Sequence, residues 1–209
     1  MKNAILFLSN ASMQLAWAKV LLIIIQGCFN NDGFTADFCE GQLRSSLQTA
    51  LLLAGIEFLN SLLKFTKSKP HQVLLFSSVR FGVEYWTAPL LPCSKAHLWT
   101  VTIWALGDVI RCGCFAMETG WVLLVSSKPP PTWIRSIRYT AGPILFPLGA
   151  GGEMAMVLLA AWEGRPKLYL AAALWPLGFY PLMTQLLRQR KKHFNKLSTE
   201  QHENKTKND

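Results

Sequence analysis

Six apolar runs of roughly twenty residues recur along the chain, and each has about the length that a helix needs to cross a bilayer. The composition, 51% hydrophobic and only 16% charged, is typical of a polytopic membrane protein and not of a soluble domain. The sequence therefore predicts an all-α protein with six transmembrane helices. The predicted spans are residues 4–26, 45–65, 71–91, 97–117, 138–162 and 166–187.

The first run also fits a signal peptide, because Lys2 precedes it. We favour a retained helix, since the run is long, is interrupted by polar residues and lacks an evident small-residue cleavage site.

The basic residues lie mostly in short loops and at the end of the chain, although the formal net charge is +9. Residues 188–209 hold seven Lys or Arg against three acids. This is the pattern of membrane topology and not of a nucleic-acid-binding stripe, so no nucleic-acid partner is expected. By the positive-inside rule both termini face the cytosol. The predicted organisation is a six-span membrane domain, 1–187, and a basic polar cytosolic tail, 188–209. The basic loop residues on that side are Lys64, Lys67, Lys69, Lys128, Arg135 and Arg138.

Three of the five cysteines, Cys28, Cys39 and Cys93, fall at or near the opposite, lumenal side. A disulfide can form in such a compartment, and the sequence leaves the pairing open. Cys112 and Cys114 lie within the fourth predicted span. Because the cysteines form no CxxC pair and the four histidines no cluster of ligand spacing, no metal site is expected.

Ionisable residues within or at the edges of spans are costly in lipid, so a near-balanced set is expected to meet in a polar interior. The alternative is a purely structural network that fixes how the helices pack. Arg80 and Glu84 are four residues apart, and Asp108 and Arg111 are three apart, so each pair shares a helical face. The set is Glu57, Arg80, Glu84, Asp108, Arg111, Arg138 and Glu153.

The stretch from Arg138 to Glu153, RYTAGPILFPLGAGGE, combines a carboxylate with prolines and glycines inside an apolar run. Gly142, Phe146, Gly149 and Glu153 follow at helical spacing and share one face. Pro147 is expected to bend the helix, and Gly149 with its neighbouring glycines lets another helix or a ligand approach. The set contains more acids than arginines, which leaves Glu153 as the candidate general acid or base. The competing interpretation is that Glu153 pairs with an Arg of a neighbouring helix.

The segments IRYTAGPILFPLGAGGE and WALGDVIR resemble the paired signatures of the endoplasmic-reticulum 3-hydroxyacyl-CoA dehydratases, the protein-tyrosine-phosphatase-like A family. The resemblance implies six membrane helices and dehydration of (3R)-3-hydroxyacyl-CoA to trans-2-enoyl-CoA in very-long-chain fatty-acid elongation. The family uses a Tyr and a Glu seven residues apart within Y-P-x-G-x-x-x-E. The matching Glu is Glu153, and the matching Pro and Gly are Pro147 and Gly149.

The position of the family's catalytic Tyr holds Phe146. Phe has no titratable proton and serves as neither acid nor base, and loss of such a group typically costs about 10² to 10⁴ in rate. Tyr139 lies seven residues earlier, about 10 Å away along the helix, and is expected to be too distant to replace it.

The resemblance implies that Arg80, Arg111 and Arg138 orient the thioester or meet CoA phosphates, with Gly149 and Tyr139 completing the substrate-binding set. It implies no cofactor, because dehydration transfers no electrons, and it implies acyl-CoA, membrane lipids and other elongation enzymes as partners. Two alternatives are a catalytically silent acyl-CoA-binding or scaffolding relative and a small transporter. Cysteine-phosphatase chemistry is excluded, since no Cys has an Arg six positions on.

The end of the chain also indicates a location. Lys205 and Lys207 resemble the dilysine signal that returns membrane proteins to the endoplasmic reticulum, although lysines also occur by chance in a basic tail. The signal requires a cytosolic C-terminus, which agrees with the loop charges. An endoplasmic-reticulum multi-pass membrane protein is expected.

Overall fold

The computed structural model describes residues 2–29, 33–66, 68–125 and 129–206, and the described part of the chain is helical without strands. Lys67, Lys128 and Lys207 therefore lie outside the described residues. Six long helices occur in the described ranges, close to the six predicted runs. They are α1 Lys2–Phe29, α2 Arg44–Leu62, α3 Pro70–Trp86, α4 Lys95–Leu124, α5 Thr132–Trp162 and α6 Leu168–Thr206.

The helix ends differ from the predicted ones for local reasons. Helix α3 ends at Trp86, five residues early, where a 3₁₀ turn containing Pro89 begins. Helix α4 begins after Ser94, whose hydroxyl accepts a hydrogen bond from the His97 backbone N–H. Helix α5 starts directly after Pro131 and continues through Pro143 and Pro147. Helix α6 runs on into the predicted polar tail as one helix.

Four of these helices, α1, α4, α5 and α6, are long and apolar enough to cross a membrane. Helices α2 and α3, with 19 and 17 residues, are not among them. The prediction of an all-helical protein is thus confirmed for the described residues, and four helices have the length and composition to span a membrane. The count of six spans and the cytosolic termini stay predictions.

The core forms where α4 packs against α1 on one side and against α5 on the other. Trp17 and Val20 of α1 are fully buried there with Val101 of α4, and Met156 of α5 joins them. Helix α6 packs on α5, and α2 and α3 extend the bundle beyond α1.

A disulfide joins Cys39, in a π-helical turn that leads into α2, to Cys93 in the connection before α4. This selects one pair from the three cysteines predicted on that side. Cys28 is free and exposed, and Cys112 and Cys114 are buried within α4.

Candidate functional site

Glu153 is buried where α5 crosses α4, with 6% of its surface exposed. Its Oε1 accepts a hydrogen bond of 2.6 Å from the indole Nε1–H of Trp104. Among the described residues it forms no ion pair, so the interpretation in which an Arg of a neighbouring helix pairs with Glu153 is not what the structure shows. Burial next to a single neutral donor leaves this carboxyl free to exchange a proton.

The glycines before Glu153 seat α4 directly on α5. A Cβ at Gly152 would lie 2.5 Å from Thr100 Oγ1, and one at Gly149 would lie 3.4 Å from Ile103 Cγ2. Gly151 has nothing within 4 Å of such a Cβ. Of the two predicted roles, approach of a helix or of a ligand, Gly149 and Gly152 therefore serve the approach of a helix. Gly151 takes no part in this crossing.

Phe146 lies between two other aromatic rings. It stacks on Phe179 of α6, with ring centroids 5.3 Å apart and planes 7° apart, and on Phe76 of α3 at 6.1 Å. Phe146 thus contributes to an apolar stack that joins α3, α5 and α6.

Arg80 connects this stack to Glu153. Its guanidinium lies 4.3 Å from the ring centroid of Phe76 and 5.3 Å from that of Trp104, the donor to Glu153. Phe146 and Glu153 are about 10 Å apart along α5, and contacts through Phe76, Arg80 and Trp104 connect the two side chains. The arrangement brings together one titratable carboxyl, one guanidinium and an aromatic wall.

The charge of Arg80 is balanced by Asp108 of α4, with which it forms a buried ion pair. Asp108 also binds Arg111 at 2.8 Å, and Arg111 extends to Glu57 of α2 at 2.5 Å. The predicted meeting of charged residues is therefore correct for these four. Positive and negative groups thus alternate among these four side chains, which we call the charge network.

Glu84, predicted to share a face with Arg80, has separate partners. Its Oε2 lies 3.2 Å from His97 Nε2, and its Oε1 lies 3.9 Å from Arg44 Nε. Glu84 is almost fully buried, at 1% exposure, so this group holds the end of the bundle near the disulfide.

Arg138 and Tyr139 lie at the other end of α5. Arg138 pairs with Glu118 of α4 at 3.1 Å and donates a hydrogen bond to the Tyr139 hydroxyl at 3.2 Å. The Tyr139 ring packs against His193 of α6, with ring centroids 4.7 Å apart and planes tilted by 34°. Both residues are thus separated from Glu153 by more than three turns of helix.

Sequence reasoning found Glu153, Phe146 and Arg80 but missed Trp104, Phe76 and Phe179, which complete the site. Trp104 lies four residues before Asp108 in the segment WALGDVIR, so its place on the charged face of α4 was a usable signal. The two phenylalanines had none, because a Phe in an apolar run is ordinarily a packing or lipid-facing residue.

A family model described as "Protein tyrosine phosphatase-like protein, PTPLA" matches residues 51–196, which include every residue of the site. A protein from Schizosaccharomyces pombe named "Probable very-long-chain (3R)-3-hydroxyacyl-CoA dehydratase" is 26% identical over 151 residues. That alignment covers 67% of this chain and 69% of the relative. No solved structure matches the chain.

Proposed function

Because the chain belongs to the protein tyrosine phosphatase-like (PTPLA) family, we propose that it dehydrates (3R)-3-hydroxyacyl-CoA to trans-2-enoyl-CoA during very-long-chain fatty-acid elongation. The observation that carries this proposal is the buried Glu153 carboxyl, which has one neutral hydrogen-bond donor and no ion pair among the described residues. The name of the fission-yeast relative supports the same reaction.

The reaction breaks the C2–H bond and the C3–O bond and forms a C2=C3 double bond. A base must take the C2 proton, and an acid must protonate the departing hydroxyl so that it leaves as water. Glu153 performs at least one of these transfers. A single carboxyl can also perform both, by taking the C2 proton and returning it to the hydroxyl on the same face of the substrate.

Phe146 removes the second acid–base group that the family's Tyr supplies. Its ring lies between Phe76 and Phe179, so it contributes shape and apolar contact to the acyl-binding wall but no proton. We expect a slow dehydratase whose chemistry rests on Glu153.

The other predicted site residues take different places in this proposal. Arg80 orients the thioester end, since its guanidinium lies between the aromatic wall and Trp104. Gly149 keeps Trp104 within reach of Glu153 by admitting α4 closely. Arg138 and Tyr139 meet the substrate nearer the start of α5. Arg111 reaches the substrate only if its contacts with Glu57 and Asp108 open.

We further propose six spans that include α2 and α3, both termini in the cytosol, and residence in the endoplasmic reticulum membrane. The basic loop and tail residues support the orientation. The pairing of Cys39 with Cys93 supports an oxidising compartment for the opposite end of the bundle. Other elongation enzymes are the expected partners.

The test is turnover of a (3R)-3-hydroxyacyl-CoA by the purified full-length protein, followed as enoyl-CoA formation, for the wild type and for Phe146→Tyr. We expect a low wild-type rate and an increase of roughly two orders of magnitude in Phe146→Tyr, because the phenol restores the second acid–base group. Phe179→Tyr is the matched control: it adds the same oxygen to the neighbouring ring of the stack, and we expect no increase from it.

An already rapid wild-type rate that Phe146→Tyr leaves unchanged would support dehydration but contradict the role given to the Phe. Absence of turnover in both proteins, with both correctly folded, would contradict the proposed function and favour a silent acyl-CoA-binding relative.

A further inference from the structure

The arginines predicted to meet CoA phosphates already have acidic partners. Arg80 and Arg111 belong to the charge network, and Arg138 pairs with Glu118. An acyl-CoA carries a diphosphate and a 3′-phosphate, which are bound most strongly by Arg and Lys that can form charge-assisted hydrogen bonds. Other Lys or Arg residues must therefore bind the CoA phosphates, and they must lie near the place where CoA enters.

Helix α6 supplies such cations at its C-terminal end. Arg188, Arg190, Lys191 and Lys192 are consecutive or nearly so, and all four are exposed. Arg190 rests on the ring of Phe194 at 5.8 Å and makes no ion pair among the residues whose side chains the structure describes. Its charge is thus available to a bound anion.

Part of this end of α6 contacts α5. The His193 ring packs against Tyr139, and its Nε2 lies 3.1 Å from the Ser136 hydroxyl. A Cβ added at Gly142 would lie 3.8 Å from the Leu186 side chain. Arg190 comes four residues after Leu186 and three before His193, so it shares their helical face. Arg190 therefore lies beside the start of α5, at the level of Tyr139.

The distance from Arg190 to the candidate site suits CoA. Ten residues of α5 separate Tyr139 from Gly149, which lies midway between Phe146 and Glu153, and they span about 15 Å. The pantetheine arm between the sulfur and the diphosphate has the backbone length of a peptide of four to five residues, roughly 15 Å when extended. A thioester placed beside Gly149 thus brings the diphosphate to the level of Tyr139 and Arg190.

Side chains of α3, α5 and α6 contact one another at levels between Arg190 and Glu153. Gln72 of α3 donates a hydrogen bond of 2.9 Å to Gln185 of α6, and the stack of Phe76, Phe146 and Phe179 follows one turn or more further along these helices. The polar amides are therefore nearer to Arg190, and the apolar rings are nearer to Glu153. This order matches the polar and apolar parts of an acyl-CoA.

We propose that the basic end of α6, with Arg190 as its central residue, binds the phosphates of CoA at the entrance between α3, α5 and α6. The proposal rests on the proposed function, since it names where the substrate's nucleotide end is held. The measurement is the affinity of the full-length protein for CoA. The protein is held in nanodiscs of phosphatidylcholine, which has no net charge, so that no anionic lipid competes with CoA for the cations. We compare the wild type with Arg190→Gln and Arg190→Lys.

We expect Arg190→Gln to weaken CoA binding about tenfold or more and Arg190→Lys to weaken it less. Pantetheine lacks the phosphates, so we expect it to bind the wild type and Arg190→Gln with the same affinity. The control is Arg165→Gln with Lys167→Gln, two exposed cations in the turn before α6 begins, which we expect to leave CoA affinity unchanged. Equal CoA affinity in the wild type and Arg190→Gln, or an equal loss in the control, would overturn the proposal. Unchanged CoA affinity with a loss of binding to phosphatidylserine vesicles would overturn it too, because the cations would then serve lipid headgroups.

Turnover separates this proposal from the proposed function. Arg190-dependent CoA binding without turnover contradicts the dehydratase activity and supports the phosphate site. If the protein turns over the substrate but its CoA affinity does not depend on Arg190, only the phosphate site is contradicted.

Discussion

Two buried carboxylates on adjoining helices have opposite surroundings. Asp108 of α4 is 2% exposed and contacts the guanidinium groups of both Arg80 and Arg111. Glu153 of α5 is 6% exposed and contacts the neutral indole N–H of Trp104. The two acids have similar burial, so the difference between them lies in their partners.

The comparison distinguishes an acid that two cations hold from an acid that has one neutral donor. A carboxylate held by two guanidinium groups is stabilised in its charged form and fixes the helices that carry its partners. A carboxyl with one neutral donor keeps lone pairs for a substrate proton. We therefore propose that Asp108, Arg111 and Glu57 serve helix packing and hold Arg80 in place, whereas Glu153 serves the chemistry. The predictions below test this division.

The largest effect is expected from Asp108→Asn. The change leaves Arg80 and Arg111 without their shared carboxylate, and breaking a buried ion pair costs about 3–5 kcal/mol of unfolding free energy. Thermal unfolding in detergent should show this loss. Glu57→Gln is the control, because the Glu57 and Arg111 side chains are 22% and 31% exposed and the loss there should be clearly smaller. Equal losses in the two variants would contradict the central place of Asp108.

Gly152→Ala should disturb the helix crossing that brings Trp104 to Glu153. Its Cβ would lie 2.5 Å from Thr100 Oγ1 and 3.3 Å from the backbone Cα of the same residue, so α4 and α5 must separate. Overpacking of this kind costs about 1–3 kcal/mol, and turnover should fall as well. Gly151→Ala, with open space around its Cβ, should retain both stability and turnover. Similar behaviour of the two variants would contradict the account of this crossing.

A smaller effect is expected from Trp104→Phe. The variant keeps an aromatic ring beside Arg80 but removes the donor to Glu153, and we expect kcat to fall about tenfold with little change in KM. Trp99→Phe is the matched control, since its indole donates at 3.3 Å to the Leu148 carbonyl and it is half exposed. A larger change in KM than in kcat would indicate that Trp104 binds substrate instead of positioning Glu153.

The positions of the long helices could be predicted from the sequence, because apolar runs and prolines are local signals. The start of α5 and the end of α6 could not. Helix α5 includes Arg135, which pairs with Glu118, and helix α6 continues into the basic tail, where His193 contacts Tyr139. Such contacts join residues distant in sequence and leave no periodic pattern.

For the site, Glu153 and Phe146 followed from the spacing and the family motif, and Asp108 with Arg111 followed from helical spacing. The pairing of Arg80 with Asp108 instead of Glu84 did not, since it depends on how α3 crosses α4. The pairing of Cys39 with Cys93 could not be predicted either. The sequence allowed any pair among three cysteines, and only the fold brings the connections before α2 and α4 together.

The most direct test of the central claim is turnover by Glu153→Gln, measured in the wild-type and Phe146→Tyr proteins together with thermal unfolding. Gln keeps the size and the acceptor oxygen for Trp104 but can neither take nor give the substrate proton. We predict a loss of at least about 10²-fold in enoyl-CoA formation, with an unfolding temperature close to that of the parent protein. Full activity in Glu153→Gln, or an unfolding loss as large as that of Asp108→Asn, would contradict the claim that Glu153 serves chemistry and not packing.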